Sequence, residues 1–261
     1  EYCRERDIYT TVIDSFTSLS DEQMRLLITS GVKKVPISLD AATPETYAKV
    51  RVGGDFTTVC RNVMRFRFLR YQLGSPTPEL VFRFIFYRDN VADIPLYPEL
   101  ISRIGVQPSL RGGIDNMVEF AALLEFEQTR DWVVEVDPAV VQQTEDALHD
   151  YGLPHAWSHP SHVPEQKRSM RECAAWAEPY VMSGGYVMPC CSVMMSNQRP
   201  FLEAHAFGNV RTQSFRDIWD SPWYREFRRS VPKATGPVPR ICVGCRAFDT
   251  TAREQAYGVA E

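Results

Sequence analysis

Short apolar runs and amphipathic stretches alternate along the first part of the chain, and this alternation constrains the fold more than any other feature of the sequence. The predicted strands are residues 8–13, 35–39 and 80–87. Helices are predicted between them, because Ser20 and Gln23 match a capping box and Thr43 precedes Pro44 at a helix start. The strict alternation of strands and helices indicates βαβ units and a parallel sheet. Such sheets bind ligands at the carboxyl ends of their strands.

The chain changes character at a segment that lacks both the helical and the strand period. Residues 152–168 are rich in proline and histidine and predict a linker. Further elements are expected as a helix over 94–103, a short run at 106–110, a helix from Asp137, a hairpin at Gly185, and helices from Ser214 and Ser221. We therefore expect an α/β domain over residues 1–151 and a smaller α+β domain over residues 169–261.

Composition and charge exclude several classes of protein. The 261 residues are 44% hydrophobic and 24% charged, as in ordinary globular domains. No run approaches the ~18 apolar residues of a membrane span. The net charge of −4 gives no electrostatic reason to expect nucleic acid as a partner. We expect a cytoplasmic protein that acts on a peptide or small molecule and binds neither nucleic acid nor membrane.

Five of the seven cysteines are concentrated late in the chain, at Cys173, Cys190, Cys191, Cys242 and Cys245. Thiolates gathered from a hairpin and a later C-x-x-C pair are typical of a metal site, because zinc and iron–sulfur clusters both favour four sulfur ligands. The spacing does not choose between these two metals. Buried unliganded cysteines and disulfides are the alternatives.

These cysteines belong to a longer pattern of residues. The pattern comprises Cys173 with Trp176, Gly185 with Cys190 and Cys191, the run from Phe207 to Val210, the run from Ser214 to Trp219, and Cys242 with Cys245. In order and spacing it resembles the SPASM auxiliary-cluster domain of radical SAM enzymes.

The SPASM resemblance implies a set of cluster ligands. The set is Cys173, Cys190, Cys242 and Cys245. Cys191 is the alternative to Cys190, which has the family spacing from Gly185. No cysteine follows Cys245, so we expect one auxiliary 4Fe–4S cluster rather than two.

A second resemblance covers the first part of the chain. Residues 31–40, 43–47 and 51–56, followed by a long helix, are similar to the middle of a radical SAM core barrel. The expected fold is therefore an incomplete (β/α) barrel followed by a small, cysteine-ligated SPASM-like domain. The family carries a 4Fe–4S cluster that cleaves S-adenosylmethionine, and the resulting 5′-deoxyadenosyl radical abstracts hydrogen from the substrate.

Three side chains are candidates for contacts with S-adenosylmethionine. Ser38 and Asp40 alternate along a strand, so both are expected to point the same way at its carboxyl end, where the resemblance supports hydrogen bonds to the ammonium or ribose. Arg51 has the forked donors that suit a methionine carboxylate. The alternatives are a turn cap for Asp40, a small inward side chain for Ser38 and a surface arginine at a helix end for Arg51. Arg83, on an apolar strand, faces either the barrel lumen or solvent.

The C-x3-C-x2-C loop that holds the family's radical-generating cluster does not occur in these 261 residues. We expect it to lie before Glu1, and we expect this chain alone not to generate the radical.

The two resemblances together imply a fragment of a radical SAM/SPASM oxidoreductase that modifies a peptide or protein side chain. Its full-length form is expected to bind S-adenosylmethionine and a second 4Fe–4S cluster, and to receive electrons from a reductant such as flavodoxin or ferredoxin. The alternative is a noncatalytic barrel that binds a peptide and holds a structural zinc or a vestigial cluster.

Overall fold

The computed structural model describes residues 2–105, 116–123, 129–157, 178–196 and 198–231. By its contacts the chain divides into an N-terminal unit, Glu1–Leu123 with Trp132–His162, and a C-terminal unit, Leu124–Asp131 with Val163–Glu261. Among the described residues, no helix is both long and apolar enough to cross a membrane.

The first part of the chain alternates helices and strands. In chain order these are α1 (Tyr2–Glu5), α2 (Asp21–Thr29), β1 (Lys34–Ser38), α3 (Pro44–Val50), α4 (Phe56–Gln72), β2 (Glu79–Phe86), a 3₁₀ helix (Val91–Leu96), α5 (Tyr97–Gly105), β3 (Asn116–Ala122), a 3₁₀ turn (Arg130–Trp132), α6 (Pro138–Asp150) and β4 (His155–Trp157). The predicted helix starts are confirmed: Ser20 and Gln23 form a capping box, and Thr43 caps α3 with Pro44 in its first turn.

The four strands form one parallel sheet in the order β1-β2-β3-β4. Helix α2 contacts α4, α4 contacts α5, and α5 contacts α6. Because the strand order follows the chain without reversing, the sheet has no topological switch point of the doubly wound kind. Sequential parallel strands with a row of connecting helices are the arrangement of a (β/α) barrel, which confirms the expected fold class.

The predicted strand at residues 8–13 lies beside β1, but among the described residues it makes one isolated parallel bridge, from Thr11 to Lys34, and Asp14 just after it makes a second, to Ile37. The segment ends in a tight turn, where Asp14 Oδ1 accepts the Phe16 N–H at 2.6 Å. Phe16 has a φ of 59°, which is uncommon for a residue with a bulky side chain. Its ring is nonetheless fully buried, 5.4 Å from that of Phe66, so burial of the aromatic side chain offsets the backbone strain.

The two faces of the sheet differ in burial. Ile37, Phe82 and Phe120 are fully buried in the core that includes the helices. Ser38, Arg83 and Glu119 alternate with those residues and are only partly exposed. Because successive side chains of a strand point to opposite faces, these polar residues lie on the face opposite the helices. This second face, which we call the open face, therefore carries polar groups on the three strands β1, β2 and β3.

Three sequence expectations differ from the structure. β3 was not predicted from the sequence. In the structure its residues are alternately buried and partly exposed. The segment expected to open the linker instead contains β4, whose three residues pair with β3. The helix expected over 94–103 begins as the 3₁₀ helix Val91–Leu96 and continues as α5. The apolar run at residues 106–110 lies outside the described residues.

The C-terminal unit is built on a small hairpin. Its elements are β5 (Tyr180–Val181), β6 (Val187–Met188), α7 (Cys191–Ser196), α8 (Arg199–His205), α9 (Phe215–Trp219) and α10 (Pro222–Ser230). The strands are antiparallel and Gly185 takes a φ of 88° between them, which confirms the predicted hairpin. Ser214 and Ser221 cap α9 and α10 as expected, each accepting a backbone N–H.

Candidate functional site

The carboxyl ends of β1 and β2 are joined by a buried side-chain amide. Asn90 is 1% exposed, and its Nδ2 donates to the Asp40 carbonyl at 2.8 Å and to the Ile85 carbonyl at 2.9 Å. Its Oδ1 accepts the Tyr87 N–H at 2.8 Å. Asn90 precedes the 3₁₀ helix but makes no side-chain capping bond to it. Its side chain therefore crosslinks the ends of two strands.

Asp40 extends the hydrogen-bond ladder between β1 and β2 with its side chain. The last backbone bond runs from the Leu39 N–H to the Arg83 carbonyl at 3.1 Å. The Ile85 N–H donates instead to Asp40 Oδ1 at 2.8 Å, and Asp40 Oδ2 pairs with Arg51. Burial raises the pKa of Asp40 above the usual aspartate value, and the charge of Arg51 offsets part of that rise. Both carboxylate oxygens are thus used within the protein.

Arg51 lies at the carboxyl end of α3, where its N–H donates to the Tyr47 carbonyl at 2.8 Å. Its guanidinium contacts Asp40 through Nη2, and its side chain is 32% exposed. The structure therefore brings two of the three predicted cofactor residues into contact. The remaining guanidinium donors of Arg51 have no recorded hydrogen bond within the described part of the chain.

Ser38, the third predicted residue, lies on the open face. It is the last residue of β1 and pairs in register with Arg83, which pairs in turn with Glu119. Arg83 and Glu119 form an ion pair with a shortest distance of 2.7 Å. The alternation of burial along β2 places Arg83 on the face opposite the helix-packed core. Glu119 was missed because the strand that carries it was missed.

The loop after β1 is held by a second buried carboxylate. Asp93 is 5% exposed; its Oδ2 accepts the Ala42 N–H at 2.7 Å and the Thr43 N–H at 3.0 Å. The same carboxylate accepts the hydroxyls of Thr43 and Thr46 at 3.2 and 2.9 Å. An acidic group suits this position because the first backbone N–H groups of a helix have no partner within the helix. No feature of the local sequence identifies Asp93, which lies 50 residues from Thr43.

A separate candidate site lies in the C-terminal unit, where Cys190 and Cys191 follow β6. Cys190 is 9% exposed within the apolar cluster of this unit. Cys191 begins α7, and its thiol beside Tyr180, together with burial, raises the pKa of Tyr180 to about 12. Neither cysteine forms a disulfide.

The other predicted metal ligands, Cys173, Cys242 and Cys245, lie outside the described residues. Within the described ranges, no three metal-ligating side chains come together. Cys190 fits a thiolate ligand by its chemistry, since the sulfur atoms of cysteine suit both zinc and iron–sulfur clusters.

The turn before Cys190 requires glycine at position 185. A Cβ at Gly185 would collide with the side-chain oxygen of Asn209. We expect Gly185→Ala to lower the free energy of unfolding by about 2–3 kcal/mol, through left-handed strain plus this collision. Gly53→Ala is the control, because Gly53 has a φ of 84° with open space around it, and we expect a loss of about 1 kcal/mol there. Urea unfolding measures both, and equal losses would show that the contact with Asn209 contributes nothing.

Comparison with known proteins gives matches over both parts of the chain. Residues 173–246 match the family model of the SPASM iron–sulfur cluster-binding domain. The chain is 22% identical over 253 residues to a PqqA peptide cyclase of Granulibacter bethesdensis, covering 92% of this chain and 60% of that protein.

Solved structures with the same fold include SuiB of Streptococcus suis. SuiB bound to S-adenosylmethionine is similar with a TM-score of 0.58 and 15% identity, covering 94% of this chain and 54% of SuiB. SuiB bound to its precursor peptide SuiA gives a TM-score of 0.60 and 14% identity with the same coverage. The chain thus spans between half and two thirds of the length of these relatives.

Proposed function

We propose that this chain, which joins a SPASM domain to a radical SAM-type β/α fold, contributes cofactor contacts and an auxiliary cluster to an enzyme that modifies a peptide or protein side chain. The observation that carries the proposal is the similarity to a peptide cyclase, which extends over 92% of the chain and includes both units. The similarity of the fold to SuiB, a protein solved with a precursor peptide, supports the same substrate class.

When bound in an enzyme of this kind, S-adenosylmethionine and its iron–sulfur cluster supply a 5′-deoxyadenosyl radical that abstracts hydrogen from the substrate. The C-x3-C-x2-C motif for that cluster is absent from these residues, so the proposal concerns binding and positioning. Arg51 is proposed to bind the methionine carboxylate with the donors that Asp40 leaves unused. Ser38 is proposed to hydrogen-bond the ribose or the ammonium group. Asp40 is proposed as the positioning residue that fixes the guanidinium of Arg51.

The SPASM domain is proposed to hold one auxiliary 4Fe–4S cluster on Cys173, Cys190, Cys242 and Cys245. Four cysteine ligands leave no open iron for a substrate, which favours electron transfer or substrate positioning as its role. A one-electron donor such as flavodoxin or ferredoxin is the proposed reductant.

The metal content of the chain tests this assignment. Iron, zinc and acid-labile sulfide are measured on anaerobically purified and reconstituted protein. We expect about four irons and four sulfides per chain, lost in the Cys242→Ala, Cys245→Ala double variant. One zinc without sulfide would instead support the noncatalytic peptide-binding module.

The role of Arg51 is tested with S-adenosylmethionine and its decarboxylated analogue. We expect the wild-type chain to bind the analogue about 10-fold more weakly, because the charge-assisted bond to the carboxylate is lost. Arg51→Met should bind the two ligands equally, whereas Arg65→Met, which removes an exposed arginine paired with Asp21, should keep the difference. Comparing two ligands on the same variant cancels changes in its stability. A 10-fold preference that survives Arg51→Met would exclude Arg51 as the carboxylate ligand.

The substrate class is tested by peptide binding. Peptides encoded by the short reading frames that flank the gene are labelled with a fluorophore, and fluorescence anisotropy is recorded as the full chain is added. Saturable binding of one of them is expected. Absence of binding to any of them would contradict a peptide substrate.

A further inference from the structure

The Arg83–Glu119 pair lies in the interior of the sheet rather than at its edge. Arg83 is on β2 and Glu119 is its register partner on β3, and each of these strands has a neighbour on both sides. The side chains are 31% and 18% exposed. The open face is therefore accessible to solvent or to a ligand at this point.

The surroundings of the pair on the open face are largely apolar. Three partly exposed apolar side chains alternate onto the same face of the sheet as the pair: Ile85 on β2, and Met117 and Ala121 on β3. A charged pair among apolar side chains contributes little to stability by itself, since replacement of such a pair by apolar residues is often neutral. Its position is thus better suited to recognition of a polar group than to holding the sheet together.

The hydrogen bonds within the pair use only some of its donor and acceptor atoms. Nε and Nη2 of Arg83 both donate to Oε2 of Glu119, at 2.9 and 2.7 Å. Neither Nη1 of Arg83 nor Oε1 of Glu119 has a recorded hydrogen bond within the described part of the chain. One side-chain pair thus offers both N–H donors and a carboxylate acceptor on the open face.

The charge balance of the pair selects the kind of ligand. A carboxylate ligand would be attracted by Arg83 and repelled by Glu119. A cationic ligand would be attracted by Glu119 and repelled by Arg83. A neutral group with one acceptor and one donor satisfies both sites without repulsion. One residue of an extended peptide backbone is such a group, because its N–H donates, its carbonyl accepts and both point to the same side of the strand.

We propose that Arg83 and Glu119 form a subsite for the backbone of one extended residue of the substrate peptide, in which the arginine Nη1 donates to the carbonyl oxygen of that residue and the glutamate Oε1 accepts its N–H. This inference rests on the proposed function, which supplies the peptide. The subsite fixes the position of the peptide backbone on the open face, next to Ser38 in register.

The test uses a peptide that binds the full chain in the anisotropy experiment. Each backbone amide of that peptide is replaced in turn by an ester, which deletes one N–H and weakens one carbonyl acceptor. In the wild-type protein we expect one ester position to weaken binding about 10-fold, the effect of losing hydrogen bonds to charged groups. An ester scan in which no position stands out by more than about 2-fold would overturn the subsite without the use of any variant.

A double variant, Arg83→Leu with Glu119→Leu, removes both charges together and leaves neither unpaired. It is expected to bind the parent peptide about 10-fold more weakly than wild type, and to bind the sensitive ester and the parent equally. Its thermal unfolding reports whether the sheet is intact. Arg83→Lys, which keeps the charge but loses the fork, is expected to show an intermediate loss.

The outcomes separate the subsite from the proposed function. If the double variant folds and binds the parent peptide as tightly as wild type, the subsite is wrong and the peptide substrate stands. If the wild-type chain binds no peptide, the substrate class and the subsite are both wrong.

Discussion

Cys190→Ala protein is expected to lose most of its cluster iron, whereas Cys191→Ala protein is expected to keep it. Cys190 is 9% exposed in the apolar cluster of the C-terminal unit, where a bound metal cation compensates the burial of a thiolate. Cys191 instead lies at the start of α7 beside Tyr180 and is less buried than Cys190. The two neighbouring cysteines are thus matched in chemistry and differ in environment.

Iron and acid-labile sulfide per chain measure the outcome after identical anaerobic reconstitution. Cys190→Ala should fall to well under half of the roughly four irons of the wild type, because one of the four thiolates that hold the cluster is lost. Tyr180→Phe serves as a further control, since it changes the surroundings of the Cys191 thiol without removing a cysteine. Loss of iron in Cys191→Ala and retention in Cys190→Ala would reverse the assignment of the ligand.

Asp93→Ala is expected to lower the free energy of unfolding by about 3 kcal/mol, since hydrogen bonds to a charged group are strong and their removal leaves buried donors unpaired. The carboxylate accepts four hydrogen bonds from Ala42, Thr43 and Thr46. Two of these donors are backbone N–H groups at the start of α3. Alanine supplies no acceptor for them.

Urea unfolding measures this loss, and hydrogen exchange at the amides of Ala42 and Thr43 localises it. Asp89→Ala is the matched control, because Asp89 lies in the turn just before the 3₁₀ helix that carries Asp93 and pairs with the exposed side chains of Lys49 and Arg88. It should leave the unfolding midpoint almost unchanged. An unchanged midpoint for Asp93→Ala would show that water replaces the carboxylate at no loss of stability.

Local signals in the sequence predicted the ends of elements well. The capping box of α2, the Thr43–Pro44 start of α3 and the Ser214 and Ser221 caps all depend on residues within one helical turn, so they are visible without a fold. The hairpin at Gly185 was visible for the same reason, because its backbone conformation favours glycine.

Long-range contacts were not visible in this way. β4 has three residues and forms through its pairing with β3, which supplies hydrogen bonds that no local pattern encodes. Asn90 and Asp93 act on residues about 50 positions earlier in the chain, so their roles depend on which strands become neighbours. Arg83 stood out as a charge on an apolar strand, but its partner became apparent only with the register of β2 and β3.

The short segment that carries both Asn90 and Asp93 has a mechanical consequence for the loop after β1. One side chain fixes the Asp40 backbone and the other fixes the start of α3, so the loop is fastened at both ends to a single rigid turn. The conformational entropy of this loop is therefore lost on folding rather than on ligand binding. A ligand that meets Arg51 encounters a preorganised edge, and little of its binding free energy is spent on ordering the protein.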